Sequence, residues 1–128
     1  MRLAEADMTE QDALDFVRNC IGSIWALEVL VLLGAEPKRR WSLDQIVRES
    51  RSSRAAVKGG LALLAGAGLV AQIGDSEYRY NPQSPTLDTI GDLVQKLYSN
   101  KPTTVIAAIY QSPNEKLRTF AEAFELKE

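Results

Sequence analysis

The chain has 128 residues, enough for one domain with a sizeable core, and its 45% hydrophobic and 25% charged residues are ordinary for a globular protein. It contains no histidine and one cysteine, Cys20, which excludes a histidine metal site, a His-dependent catalytic centre and an internal disulfide within this chain. The first twelve residues are acidic without an apolar segment, and the longest apolar run, 24–33, is interrupted by Glu28. We therefore expect a cytoplasmic protein with no signal peptide and no membrane span.

The net charge of −2 conceals a strong asymmetry along the chain. Residues 38–58 hold seven basic and two acidic side chains, a net charge of +5, whereas the remainder holds eight basic and fifteen acidic side chains, a net charge of −7. Such segregation can focus a positive potential on one face of a protein whose total charge is negative. The alternative interpretation is a solvated surface rich in arginine. The positions of these residues in the fold distinguish the two interpretations.

The first third of the chain predicts two helices. Thr9 is placed to cap a helix over 10–20, whose helical spacing puts Cys20 on the buried face. Ser23 is placed to cap the next helix, which is apolar almost all round, as is typical of a central helix, and which Gly34 should end.

The middle of the chain predicts a short strand, two helices and a hairpin. Residues 39–41 suit a strand, and Ser42 with Gln45 forms a capping box for a short helix. After a turn at 50–53, Ser52 or Ser53 caps a longer helix that runs to about residue 67. Beyond Gly68, strands over 69–73 and 78–80 flank a tight turn.

The last third is predicted to be helical. Ser84 and Pro85 begin an amphipathic helix over 85–99, the segment 103–110 is ambiguous between helix and strand, and 112–115 resembles a further capping box. Apolar stripes at 87–98 and 117–124 could dimerise the protein or fold back to complete the core of one chain.

The order of these elements resembles the bacterial winged helix-turn-helix regulators, such as the MarR-like, PadR-like and ArsR-like groups. The resemblance covers about half of the chain, in the segments "WSLDQIV", "SSRAAVKGGLALLAGAGLV" and "EYRY", and its most specific part is the spacing of Leu61, Leu64 and Gly68-Leu69-Val70. It implies a mainly α fold with a small β-hairpin wing, in a single domain. The domain would comprise an N-terminal helix at 1–22, a winged core at 23–82 and a helical extension at 83–128.

The resemblance also implies a DNA interface. The helix over 53–67 would enter the major groove, the wing over 69–80 would approach the minor groove or a phosphate, and the remaining arginines would contact the backbone. The expected DNA-binding residues are Arg39, Arg40, Arg48, Arg51, Ser52, Ser53, Arg54, Lys58 and Arg79. Arg48 and Arg51 could instead form ion pairs with Glu49 or Asp44.

The longer helix departs from the pattern of these regulators at positions that commonly carry polar or basic side chains. Gly59, Ala62 and Leu63 stand there, and the adjacent Gly59 and Gly60 each cost about 1 kcal/mol relative to alanine in a helix. A close approach of a DNA strand or of another helix would offset that cost, and base contacts should then concentrate at 52–58.

Two functions follow from these observations. The first is a homodimeric DNA-binding transcription regulator that pairs through its C-terminal helices. The alternative is a winged-helix adaptor that binds a protein partner at the Gly59 and Ala62 face. We expect no enzyme, no cofactor and no metal site, because the sequence contains no phosphate loop, nucleophile motif or recognisable carboxylate pair.

Overall fold

The computed structural model describes residues 8–111, which form a mostly helical fold with a small antiparallel sheet. The elements in chain order are α1 (Glu10–Phe16) with a π-helical continuation (Val17–Ile21), α2 (Ile24–Gly34), β1 (Trp41–Ser42), α3 (Leu43–Ser50), α4 (Arg54–Gly66), β2 (Val70–Ile73), β3 (Glu77–Tyr80), α5 (Pro85–Asn100) and α6 (Pro102–Tyr110). The expected mainly α fold with a β-hairpin wing is confirmed. The order from α2 to β3 is that of a winged helix-turn-helix core.

The sheet has the strand order β1-β3-β2, so the hairpin strand β3 is central. Trp41 lies opposite Tyr78, and Val70 lies opposite Tyr80. The strand expected over 39–41 begins two residues later, because the N–H of Arg39 donates to the carbonyl of Glu36 at 3.0 Å in the turn that follows α2. That bond holds Arg39 outside the strand ladder.

The core is centred on α2, as its all-round apolar sequence predicts. Ala26, Leu27, Val29, Leu30 and Leu33 are buried on this helix. Helix α4 crosses it closely, since a Cβ atom at Gly60 would lie 3.2 Å from the backbone of Ala26. Gly60 therefore permits the helix-helix contact on which the winged core is built.

The N-terminal helix changes its period before it ends. The N–H of Gly22 donates to the carbonyl of Val17 at 2.8 Å, which is a π-helical bond across five residues. Val17 and Ile21 are buried below this wider turn, whereas Cys20 is exposed. The prediction that Cys20 is buried is wrong, because it assumed an α-helical period up to the end of the helix.

The C-terminal helices belong to the same core. Ile90, Val94 and Leu97 of α5 are buried, together with Val105 and Ile109 of α6. The segment 103–110, which the sequence left open between helix and strand, lies in helix α6. Helix α5 packs against α1 and α2. The stripe at 87–98 thus completes the core of one chain. The stripe at 117–124 and the capping box at 112–115 lie outside the described residues.

Between residues 8 and 111, no single helix combines the length and apolar character that crossing a bilayer requires. Residues Glu10–Ile21 and Ile24–Gly34 meet those criteria only when taken together, and they are bent by 114° relative to each other.

Candidate nucleic-acid interface

Two serine caps define the helix-turn-helix unit, which comprises α3, the turn at 51–53 and α4. The Ser42 hydroxyl accepts the N–H of Gln45 at 3.1 Å, while the Gln45 side chain accepts the N–H of Ser42 at 2.9 Å. At the second helix the Ser53 hydroxyl accepts the N–H of Ala56 at 3.0 Å. Ser53 is therefore the cap, and Ser52 instead donates its hydroxyl to the carbonyl of Ser50 at 3.4 Å. Both serines expected to contact DNA have hydrogen-bond partners within the helix-turn-helix unit.

Arg51 ends α3 in a left-handed conformation, with φ of 57°. Within residues 8–111 it is the only residue other than glycine with a positive φ. This conformation costs an ordinary residue roughly 1–2 kcal/mol, and glycine usually occupies it at the end of a helix. An exposed arginine is thus held where the backbone alone favours glycine, which marks Arg51 as a candidate for function.

Four basic side chains are exposed on the helix-turn-helix unit. Arg48 lies in the last turn of α3, Arg51 in the turn, Arg54 in the first turn of α4 and Lys58 one turn later. Because residues four apart share one face of a helix, Arg54 and Lys58 lie side by side. We call these four residues the basic cluster.

One member of the basic cluster has an acidic partner. The Nη1 atom of Arg54 donates to Oδ1 of Asp44, in the first turn of α3. The hydrogen bond and charge of Arg54 lower the pKa of Asp44, and the charge of Arg48 contributes less. The alternative ion pairs of Arg48 and Arg51 with Glu49 or Asp44 do not form among the described residues, and Asp44 pairs with Arg54 instead.

The three remaining arginines of the expected interface lie outside the basic cluster. Arg39 stacks on Trp41, with its guanidinium carbon 3.6 Å from the centroid of the ring, and it contacts Glu36 at 3.3 Å. Arg40 lies 3.8 Å from Glu77 of β3. These contacts hold Arg39 against β1 and Arg40 near β3.

Arg79 lies on the sheet face that points away from α4. A groove of about 160 Å³ between α4 and the hairpin is lined by Lys58, Leu61, Ala62, Ala65, Val70, Gln72 and Tyr78. Since side chains alternate across a strand, Tyr78 and its neighbour Gln72 face this groove, while Arg79 and its neighbour Ala71 face the other way. The structure therefore separates Arg79 from Lys58.

The outward face of α4 carries only small side chains. Ala55, Gly59, Ala62 and Gly66 are exposed there, and a Cβ atom at Gly59 or Gly66 would meet nothing within 4 Å. Of the two adjacent glycines, Gly60 is required by the close contact with α2, whereas Gly59 contacts no other element among the described residues. The helix thus presents an open surface whose basic groups are concentrated at its N-terminal end.

None of the three comparisons with protein families, curated proteins and solved structures finds a match to this chain. The interface must therefore be judged from its own chemistry.

A separate cleft of about 810 Å³ lies where the hairpin leads into α5, lined by Gly34, Pro37, Tyr80, Pro82, Gln83, Ser84, Pro85, Asp88, Thr89, Asp92 and Gln95. The Tyr80 hydroxyl donates to Asp88 at 3.3 Å, and burial together with the nearby carboxylates raises the pKa of Tyr80. This cleft contains none of the nine residues expected to bind DNA.

Long-range polar contacts are the part of the surface that sequence reasoning missed. The Tyr98 hydroxyl donates to Glu28 at 2.6 Å, which links α5 to α2, and Lys101 lies 3.0 Å from Glu10. Burial and the hydrogen bond to Glu28 raise the pKa of Tyr98 to about 12. The sequence signal is opposite charge for Lys101 and Glu10, and a donor with an acceptor for Tyr98 and Glu28. Neither signal says which residues meet.

Proposed function

We propose that the protein is a winged-helix transcription regulator that binds double-stranded DNA through the helix-turn-helix unit. The observation that carries this proposal is the exposed basic cluster, which occupies the end of α3, the turn and the N-terminal part of α4. Helix α4 would enter the major groove, where arginine and lysine recognise guanine O6 and N7. The open Gly59 face would allow the groove wall to approach closely.

The remaining members of the expected interface would have lesser roles. Arg39 and Arg40, which lie beside β1 and β3, would contact DNA phosphates and would not contribute to sequence specificity. Ser52 and Ser53 would act through the backbone they hold, since the free N–H groups at the start of α4 form a phosphate site.

The regulator would act in the bacterial cytoplasm as a homodimer, without catalysis or a cofactor. Two-fold pairing would place two α4 helices about 34 Å apart, one turn of DNA. The stripe of α5 is buried in the core of one chain, so the two chains would pair through other residues of the C-terminal helices.

The test is fluorescence anisotropy with a generic DNA duplex over a series of salt concentrations. The double variant Arg54→Ala/Lys58→Ala should bind more weakly, and the slope of log affinity against log salt should become shallower by about 1.8, because each lost phosphate contact contributes about 0.9.

The matched control is Arg18→Ala/Lys96→Ala, which removes the same charge from ion pairs at the end of the N-terminal helix and on α5. It should leave the slope unchanged. An equal loss in both double variants would mean that only total charge matters, and an absence of binding at low salt would contradict the proposal.

The second candidate is an adaptor that binds a protein through the outward face of α4. The open space around Gly59 and the exposed Trp25 on the adjoining α2 favour it. Gly59→Leu would fill that face. If the protein is an adaptor, a partner captured by the wild type should be lost with this variant, while affinity for DNA should stay low and independent of the basic cluster.

A further inference from the structure

Asp44 is the acidic side chain closest to the basic cluster, because its carboxylate accepts a hydrogen bond from Arg54. It lies in the first turn of α3, while its partner Arg54 lies in the first turn of α4. The side chains of Asp44 and Arg54 are 71% and 61% exposed. Water screens a pair this exposed, so the contact contributes little to the stability of the fold.

The capping of both helices is independent of Asp44. Ser42 and Gln45 form the capping box of α3, and Ser53 caps α4. The helix-turn-helix unit therefore has its backbone satisfied at both helix starts without the carboxylate. As an acidic group in the first turn, Asp44 also interacts favourably with the dipole of α3, by about 0.3–1 kcal/mol. That interaction does not require contact with Arg54, so stability does not explain why the carboxylate meets the leading arginine of the proposed DNA-binding helix.

We propose that Asp44 is an intramolecular competitor of DNA phosphate for Arg54, and that it lowers the affinity of the protein for non-cognate DNA. This inference rests on the proposed DNA binding. In free protein the carboxylate occupies Nη1 of Arg54. Binding to a phosphate requires that contact to break, and Asp44 is then left beside a polyanion.

The competition has a thermodynamic signature. Each phosphate neutralised by a protein cation releases counterions and adds about 0.9 to the salt slope. When Arg54 leaves Asp44 for a phosphate, the freed carboxylate takes up a cation, so that the net release is smaller. Removing the carboxylate should restore this lost contribution.

The experiment compares wild type with Asp44→Asn by anisotropy on a generic duplex. Asparagine keeps the size of the side chain and is compatible with a helix start. Asp44→Asn should bind more tightly, and its salt slope should be steeper by up to about 0.9, since a single carboxylate takes up less than one cation. Its advantage over wild type should then grow by up to about 3.5-fold between 200 and 50 mM salt.

Asp15→Asn is the control, because Asp15 also forms an ion pair with an arginine, at 44% and 31% side-chain exposure, and lies on α1, which packs on α5 and α6. It changes the net charge equally and should leave the slope at the wild-type value. In an Arg54→Ala background, Asp44→Asn should no longer steepen the slope. Thermal unfolding followed by circular dichroism shows that each variant is folded.

The outcomes separate the two proposals. If wild type binds DNA and Asp44→Asn binds equally or more weakly, Asp44 does not compete, and a weaker variant would mean that it positions Arg54 for binding. An equal gain with Asp15→Asn, or in the Arg54→Ala background, would also overturn the inference. If neither wild type nor any variant binds, the proposed DNA binding itself fails.

Discussion

Arg51 is the residue at which stability and function are most clearly opposed. Its left-handed backbone costs an ordinary residue about 1–2 kcal/mol, and glycine avoids most of this cost. Glycine instead lowers stability by about 0.5–1 kcal/mol, because it loses more conformational entropy on folding. Arg51→Gly should therefore raise the free energy of unfolding by about 0.5–1 kcal/mol in urea denaturation, while anisotropy shows weaker binding to DNA. A variant that gains stability and keeps its full affinity would remove Arg51 from the interface.

The adjacent glycines of α4 should respond oppositely to the same substitution. A Cβ atom at Gly59 meets nothing within 4 Å, so Gly59→Ala should stabilise the protein by about 0.5–1 kcal/mol through helix propensity. At Gly60 the Cβ would lie 3.2 Å from the backbone of α2, and Gly60→Ala should cost about 1 kcal/mol or more, because two packed helices must separate. Urea denaturation of the two variants measures the difference. Equal stabilisation by both would mean that α2 and α4 are not in close contact.

The winged hairpin divides its side chains between two faces, and only one of them adjoins α4. Lys58 lies at the groove between α4 and the hairpin, while Arg79 points away from that groove. We therefore expect Lys58→Ala to reduce the salt slope of DNA binding by about 0.9, and Arg79→Ala to leave it unchanged. Anisotropy across the same salt series measures both variants. A reduced slope for Arg79→Ala would show that the outer face of the wing also contacts phosphate.

Local chemistry made most elements predictable from the sequence. The caps at Thr9, Ser23, Ser42 and Ser84 each depend on groups within three residues, and all four lie at the predicted helix starts. The π-helical turn before Gly22 has no comparable local signal, so the exposure of Cys20 was missed.

The sequence predicted which basic residues form the candidate interface, but it did not predict their contacts or the direction in which they point. The charge asymmetry identified the basic segment, and helical spacing placed Arg54 beside Lys58. The partner of Arg54 depends on how α3 and α4 pack, and the orientation of Arg79 depends on which sheet face meets α4. Both are set by tertiary contacts that a periodic pattern leaves open.

At the scale of the whole molecule, the C-terminal helices and the winged core share one hydrophobic core. Ile109 of α6 is fully buried in the same cluster as Trp41 and the apolar residues of α2. Ile109→Ala should therefore destabilise the whole chain by about 2–5 kcal/mol, as the loss of a buried isoleucine does elsewhere. The two tryptophans, Trp25 and Trp41, both lie in the winged core, so their fluorescence reports on that part alone.

Fluorescence and far-ultraviolet circular dichroism of Ile109→Ala should then show the same lowered midpoint in urea, because a cooperative unit loses all its parts together. Tyr110→Ala is the matched substitution, since the neighbouring side chain is 62% exposed, and it should change the midpoint little. If the fluorescence midpoint of Ile109→Ala stayed at the wild-type value while the dichroism shifted, the winged core would fold independently of α6. The C-terminal helices would in that case be free to rearrange against another chain without unfolding the helix-turn-helix unit.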